Sequence, residues 1–133
     1  MKRIVAIGLA LAGLMVLAAV GPRAPGHEPG KPEFKAAIAQ YPGCRVQSRL
    51  EDWKPYLPLL VFAATDDEVS PWVCQELAQE VKARGGSIEF VLYAGAHHAY
   101  DDPGKRKQDH EPNRAALADT RARAAAFFGQ QLR

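Results

Sequence analysis

Two cysteines in 133 residues, Cys44 and Cys74, are too few and too far apart for a zinc site of the paired Cys-x-x-Cys kind. Neither neighbours a matching thiol, so two readings stay open: a mutual disulfide in an oxidising compartment, or two small buried hydrophobes in a reducing one. Charge of one sign is lacking too, since 17 basic residues against 15 acidic ones leave a formal +2. The densest basic cluster, Lys105 to Lys107, lies beside Asp101, Asp102 and Asp109. That is a solvated loop, without the one-sided basic face that nucleic acid requires. His97, His98 and His110 with Asp101 match no helix-face or hairpin spacing for a metal, so neither metal nor cofactor is expected. Internal repeats and low-complexity tracts are absent, and the sequence has a single long hydrophobic run.

What remains is globular: 47% apolar and 24% charged residues suit one domain spanning 1–133. "PRAPGHEPGKP" from residue 22, rich in Pro and Gly without a hydrophobic period, is an exposed loop over 22–33. "FKAAIAQY", 34–41, reads as a buried strand stopped by Pro42 and Gly43. The apolar run from Leu59 to Ala64 reads as a strand covered on both faces. Ser70 and Pro71 start a helix that ends at Gly85 and Gly86, with Val73, Leu77 and Val81 as its apolar stripe. "SIEFVLY", 87–93, is the next strand, and "AGAHHAYDDPGKRKQDHE" a long polar loop. A last helix starts at Pro112, with Leu117, Ala124, Phe128 and Leu132 as its buried face. Between Tyr41 and Leu59 only "QSRLEDW" suggests a turn of helix. Strands separated by helices predict parallel pairing.

The opening "KRIVAIGLALAGLMVLAAVG" fits two incompatible readings. Lys2 and Arg3 before an apolar run, with small residues near Ala18 and Gly21, have the form of an export signal. The same letters fit a buried strand from Arg3 to Ile7, a turn punctuated by Gly8 and Gly13, and an apolar helix. At 17 residues, Ile4 to Val20 also sits at the short limit for crossing a bilayer, a third reading.

In an open parallel sheet, reactive groups gather at the carboxyl ends of the strands. Asp66 and Asp67 follow one strand there, and His97 and His98 follow the next. A hydrolase needs this chemistry: a histidine to take a proton, and a carboxylate to fix its tautomer and stabilise its charged form. "FKAAIAQYPGC", "LPLLVFAATDDEVSP", "VLYAGAHHAYDDP" and "ADTRARAAAFFGQQL", in order over residues 34–133, resemble the carboxyl-terminal half of the dienelactone hydrolase family.

The resemblance implies an α/β fold: a partial α/β-hydrolase, about four parallel strands with flanking helices, its amino-terminal strands missing. It also implies hydrolysis of a small ester or lactone, with Asp67 as acid through "DEVSP", Asp66 as runner-up, and His98 rather than His97 through "HAY". The family's Cys or Ser nucleophile sits in a Gly-x-nucleophile-x-Gly elbow between strand and helix. Residues 34–133 contain no such elbow, and "GLALAG" in the opening stretch resembles a degenerate one, with Ala10 in the nucleophile's place and Ala12 where a glycine belongs. Alanine has nothing to deliver in covalent catalysis.

Cys44 and Cys74 are nucleophile candidates in principle only, since neither has an elbow context. The elbow reading restores a central strand, makes residues 1–21 part of the domain and favours a cytoplasmic location. The signal reading implies export to the periplasm. An incomplete sheet leaves an edge that favours self-association or a missing partner chain. The alternative to an enzyme is a non-catalytic remnant, or one chain of a split hydrolase acting as a binding module.

Overall fold

In the computed structural model, residues 4–8, 11–22, 24 and 34–133 are described, with side chains from Met15 onward. The elements are β1 (Ile4–Gly8), α1 (Leu11–Ala19), β2 (Phe34–Gln40), β3 (Leu59–Asp66), α2 (Pro71–Ala83), β4 (Ile88–His97), α3 (Lys105–Gln108) and α4 (Glu111–Gln131). A 3-10 turn at Gln47–Arg49 accounts for the helical hint in "QSRLEDW". The strands form one parallel sheet in the order β1-β2-β3-β4.

The sheet is the middle of three layers, because alternate residues of β2 and β3 are apolar on both faces. On one face Ala37 and Ala39 of β2 and Leu59 and Val61 of β3 meet Val16, Leu17 and Val20 of the α1 segment, and Leu77 and Val81 of α2. On the other, Ala36, Ile38, Leu60 and Phe62 meet Phe127 of α4. At the carboxyl ends of the strands a third cluster gathers Tyr41, Ala64, Ala96, Tyr100 and Ala116.

Several expectations are corrected. The strand expected over 87–93 runs on to His97, and β3 runs through Asp66, because a register shift between Ala64 and Asp66 lets Asp66 pair with His97. Gly95 makes the shift feasible: its φ is +73°, and a Cβ there would stand 3.3 Å from Pro112 Cγ. The basic cluster 105–107 is the exposed short helix α3 rather than loop.

The buried face of α4 is Asn113, Ala116, Thr120 and Phe127, while Leu117, Ala124 and Phe128 only flank it. Apolar periodicity misplaced the stripe because two of its members are polar and hydrogen-bonded. Asn113 accepts from the His97 N–H and donates to the Lys107 carbonyl. Thr120 Oγ1 lies 2.7 Å from the Tyr100 hydroxyl.

In the opening stretch, Ile4–Gly8 pairs with β2 and Leu11–Ala19 is helical. Ala10 and most of the loop expected over 22–33 lie outside the described residues. Among the described residues no helix is long and apolar enough to cross a membrane.

Candidate active site

Asp67 is the first residue past β3, where the chain turns toward α2. Its Oδ1 accepts the Val69 N–H at 2.7 Å, which fixes the carboxylate. His98 is the first residue past β4, and its Nδ1 lies 2.9 Å from Asp67 Oδ2 and 3.0 Å from Oδ1. An ionised carboxylate only accepts, so the bond places the proton on Nδ1 and leaves Nε2 as the acceptor nitrogen. The Asp67 side chain is 2% exposed and that of His98 26%, so water reaches the imidazole and scarcely reaches the carboxylate.

The neighbouring candidates face elsewhere. Asp66 accepts from the Thr65 hydroxyl at 2.9 Å, and that hydroxyl in turn accepts the Gly95 N–H. The His97 ring stacks on His110 with centroids 4.3 Å apart, and His110 Nε2 donates to the Gly95 carbonyl at 2.7 Å. Asp101 accepts from the Tyr41 hydroxyl at 2.6 Å. Of the four residues weighed for zinc, His97 and His110 stack on each other, while His98 bonds Asp67 and Asp101 bonds Tyr41. Among the described residues no group of three or more metal-ligating side chains converges.

Cys44 and Cys74 are joined as a disulfide with Cα atoms 5.1 Å apart. Their sulfurs are therefore not thiolates, which removes both as nucleophiles in this state. The bridge ties the segment after β2 to the first turn of α2, and a cleft of about 340 Å³ opens beside it, lined by Gly43, Arg45, Val46, Glu68, Val69 and Ser70. A second cavity, about 170 Å³ and bordered by Ala18, Gly21, Val46, Leu50 and Trp53, lies between the end of α1 and the 3-10 turn. Residues lining it do not include the Asp67–His98 pair.

Sequence reasoning passed over Tyr41, whose ring centroid is 4.6 Å from that of His98. It also passed over Lys107, whose ammonium donates to the His98 carbonyl. An aromatic residue closing a parallel strand, where ligands gather, was the available signal for Tyr41.

A parallel sheet with a carboxylate past one strand and a histidine past the next is the arrangement of the α/β-hydrolase class. Residues 1–132 match the dienelactone hydrolase family, and the chain belongs to that family. No curated protein matches it by sequence. Among solved structures it is similar to esterase 2 of the planctomycete Thermogutta terrifontis phosphonylated by cyclosarin, at TM-score 0.69 and 22% identity, over 96% of this chain and 54% of that one. The same esterase phosphorylated by paraoxon matches at TM-score 0.69 and 22% identity, over 96% and 53%. With propionate bound it matches at 0.65 and 21%, over 96% and 55%. The chain thus spans a little over half the length of these esterases.

Proposed function

We propose that this chain is a hydrolase-family protein that retains the proton-transfer pair for opening a small ester or lactone and carries no nucleophile of its own at the elbow. The observation that supports this is the Asp67–His98 bond at the carboxyl ends of adjacent strands. Residues 1–21 then belong to the domain as strand and helix, with Ala10 between them.

In this reading His98 Nε2 takes a proton from water while the oxygen bonds to the acyl carbon. Asp67 stabilises the imidazolium across Nδ1–H. As the tetrahedral intermediate collapses, the bond from carbon to the leaving oxygen breaks, and His98 returns its proton to that alkoxide. No acyl-enzyme forms, because alanine supplies no attacking atom. Turnover is slow without a covalent step and a complete oxyanion hole, whose single donors are worth about 100- to 1,000-fold each.

The test uses the class of reagent that phosphonylates the Thermogutta esterase. After exposure to a phosphonofluoridate, intact mass should show no adduct. Slow hydrolysis of a 4-nitrophenyl ester should proceed without a burst and fall to background in His98→Ala. A stoichiometric adduct would overturn the claim that the chain lacks a nucleophile. Ester turnover equal in His98→Ala and the parent chain would favour the non-catalytic alternative, which Ala10 also supports.

A further inference from the structure

We propose that Tyr41 is the positioning residue of the Asp67–His98 pair, its ring braced against the imidazole so that Nδ1 stays on the carboxylate. The inference rests on the reading of that pair as the proton-transfer apparatus. Three independent features of the fold converge on it.

The first is strain in the backbone. Among the described residues only two non-glycine positions have positive φ, Tyr41 at 37° and Ala99 at 53°. A residue with a Cβ is strained in such a conformation, and strain of this kind persists where surrounding structure over-determines it. Both positions bear on one side chain. Ala99 directly follows His98, and Tyr41 lies against it with the ring planes at 55°. At the end of β2, the left-handed turn of Tyr41 carries its side chain out of the strand's alternation and across to the histidine past β4.

The second is the rigidity of the brace. The Tyr41 phenol donates to Asp101, three residues beyond His98. The same ring meets Tyr100 edge-on at 5.6 Å, and Tyr100 meets Tyr93 edge-on at 5.4 Å. Tyr100 is fully buried and tied through Thr120 to α4. Burial, with the Asp101 carboxylate beside it, holds the Tyr41 phenol well above its ordinary range, so it stays a donor.

The third is what the imidazole would do without it. A histidine held by one carboxylate alone can rotate about its side-chain bonds, and catalysis tolerates little misplacement of a general base. Asp67 Oδ1, itself 3.0 Å from His98 Nδ1, accepts the Val69 N–H, so the carboxylate is held independently of the ring. Tyr41 supplies a tilted ring contact with centroids 4.6 Å apart, and Lys107 donates to the His98 carbonyl.

The experiment reads the solvent-exchange lifetime of the His98 Nδ1–H by NMR in the full chain, its signal assigned by absence in His98→Gln. Tyr41→Leu, which removes the ring, is expected to shorten the lifetime at least tenfold. Tyr41→Phe, which keeps the ring and loses the Asp101 tether, is expected to shorten it about threefold. Phe127→Leu, a core change on the α4 face, should leave it within twofold of the parent chain, so general loosening is separated from positioning.

If Asp67→Asn abolishes the signal while Tyr41→Leu leaves it unchanged, the positioning role is overturned and the pair stands. A signal indifferent to Asp67→Asn overturns the pair, and Tyr41's role with it. Should Tyr41→Leu not fold, an unchanged lifetime in Tyr41→Phe overturns the proposal on its own.

Discussion

Removing the Cys44–Cys74 bridge should cost this domain a large part of its stability. The bridge closes a segment with a sequence separation of 30, containing β3 and the turn into α2. In the chain-entropy account, releasing a loop of that length returns about 3.6 kcal/mol of freedom to the unfolded state. Both cysteines are buried, at 2% and 1% exposure, so Cys44→Ala/Cys74→Ala also forfeits packing around two sulfurs, about 1 kcal/mol each.

Against a total of about 5–15 kcal/mol for a domain of ordinary stability, the double variant keeps a fraction of its margin. With a urea dependence of about 1.5–2 kcal/mol per molar, the unfolding midpoint should fall by at least about 2 M. The assay is urea unfolding followed by circular dichroism, on the parent chain with and without reductant and on the double variant. Two titratable thiols in the unreduced, urea-unfolded chain would refute the bridge itself. A midpoint unmoved by reduction would refute the loop-entropy argument.

Other perturbations follow from the same geometry. Burial raises the phenols of Tyr41 and Tyr100, and that of Tyr93 to about 12. A group whose folded value exceeds its unfolded one stabilises fully below the unfolded value and loses that contribution as pH rises through the folded one. Stability should therefore be flat in these groups below about pH 10 and drop between about 10 and 12. Tyrosinate absorbance should rise together with loss of the circular-dichroism signal, and three phenols titrating near pH 10 in a folded chain would count against their burial. Gly95→Ala should lower the melting temperature by about 5–8 °C, since its φ of +73° costs a residue with a Cβ about 1–2 kcal/mol. A shift under about 2 °C would mean that the bulge beside His97 relaxes freely.

How far the fold was legible depends on where its determinants lie along the chain. β3 and α2 were readable because the evidence is local: an unbroken apolar run, a proline at the first helical position and a glycine pair at the end. The continuation of β4 to His97 was not, because it depends on Gly95 meeting Pro112 across the fold. The α4 stripe was misplaced for a related reason. Asn113 and Thr120 are buried through bonds to His97, Lys107 and Tyr100, partners that no hydrophobic period announces.

At the site, family resemblance singled out Asp67 and His98, whose side chains the structure brings within hydrogen-bond distance. The reason Asp66 faces away is its bond to the Thr65 hydroxyl that also receives Gly95. That is tertiary information. The Cys44–Cys74 disulfide stayed one of two open readings, because two cysteines 30 apart are close only once β2 and α2 are packed.

The bridge and the opening stretch pull the chain's location in opposite directions, and their energies say how both can be accommodated. A disulfide persists in oxidising compartments, which favours export. Export with cleavage near Gly21 would remove β1 together with Val16, Leu17 and Val20, which are 6%, 1% and 0% exposed. Burying three such side chains contributes roughly 5–9 kcal/mol, comparable to the whole margin of a domain. The cut would also remove the carbonyl of Val20 that receives the Tyr56 N–H, and uncover Trp53, now 3% exposed and packed close against Gly21. On these energies we propose that the opening segment is part of the folded domain. A variant beginning after Gly21 should show red-shifted tryptophan emission and no cooperative urea transition, while the full chain shows both a buried tryptophan and a sharp one. If the shortened variant unfolds cooperatively at the same midpoint, α1 contributes nothing to the core. The stretch would then be free to act as a cleaved signal, with the bridge as the natural product of export.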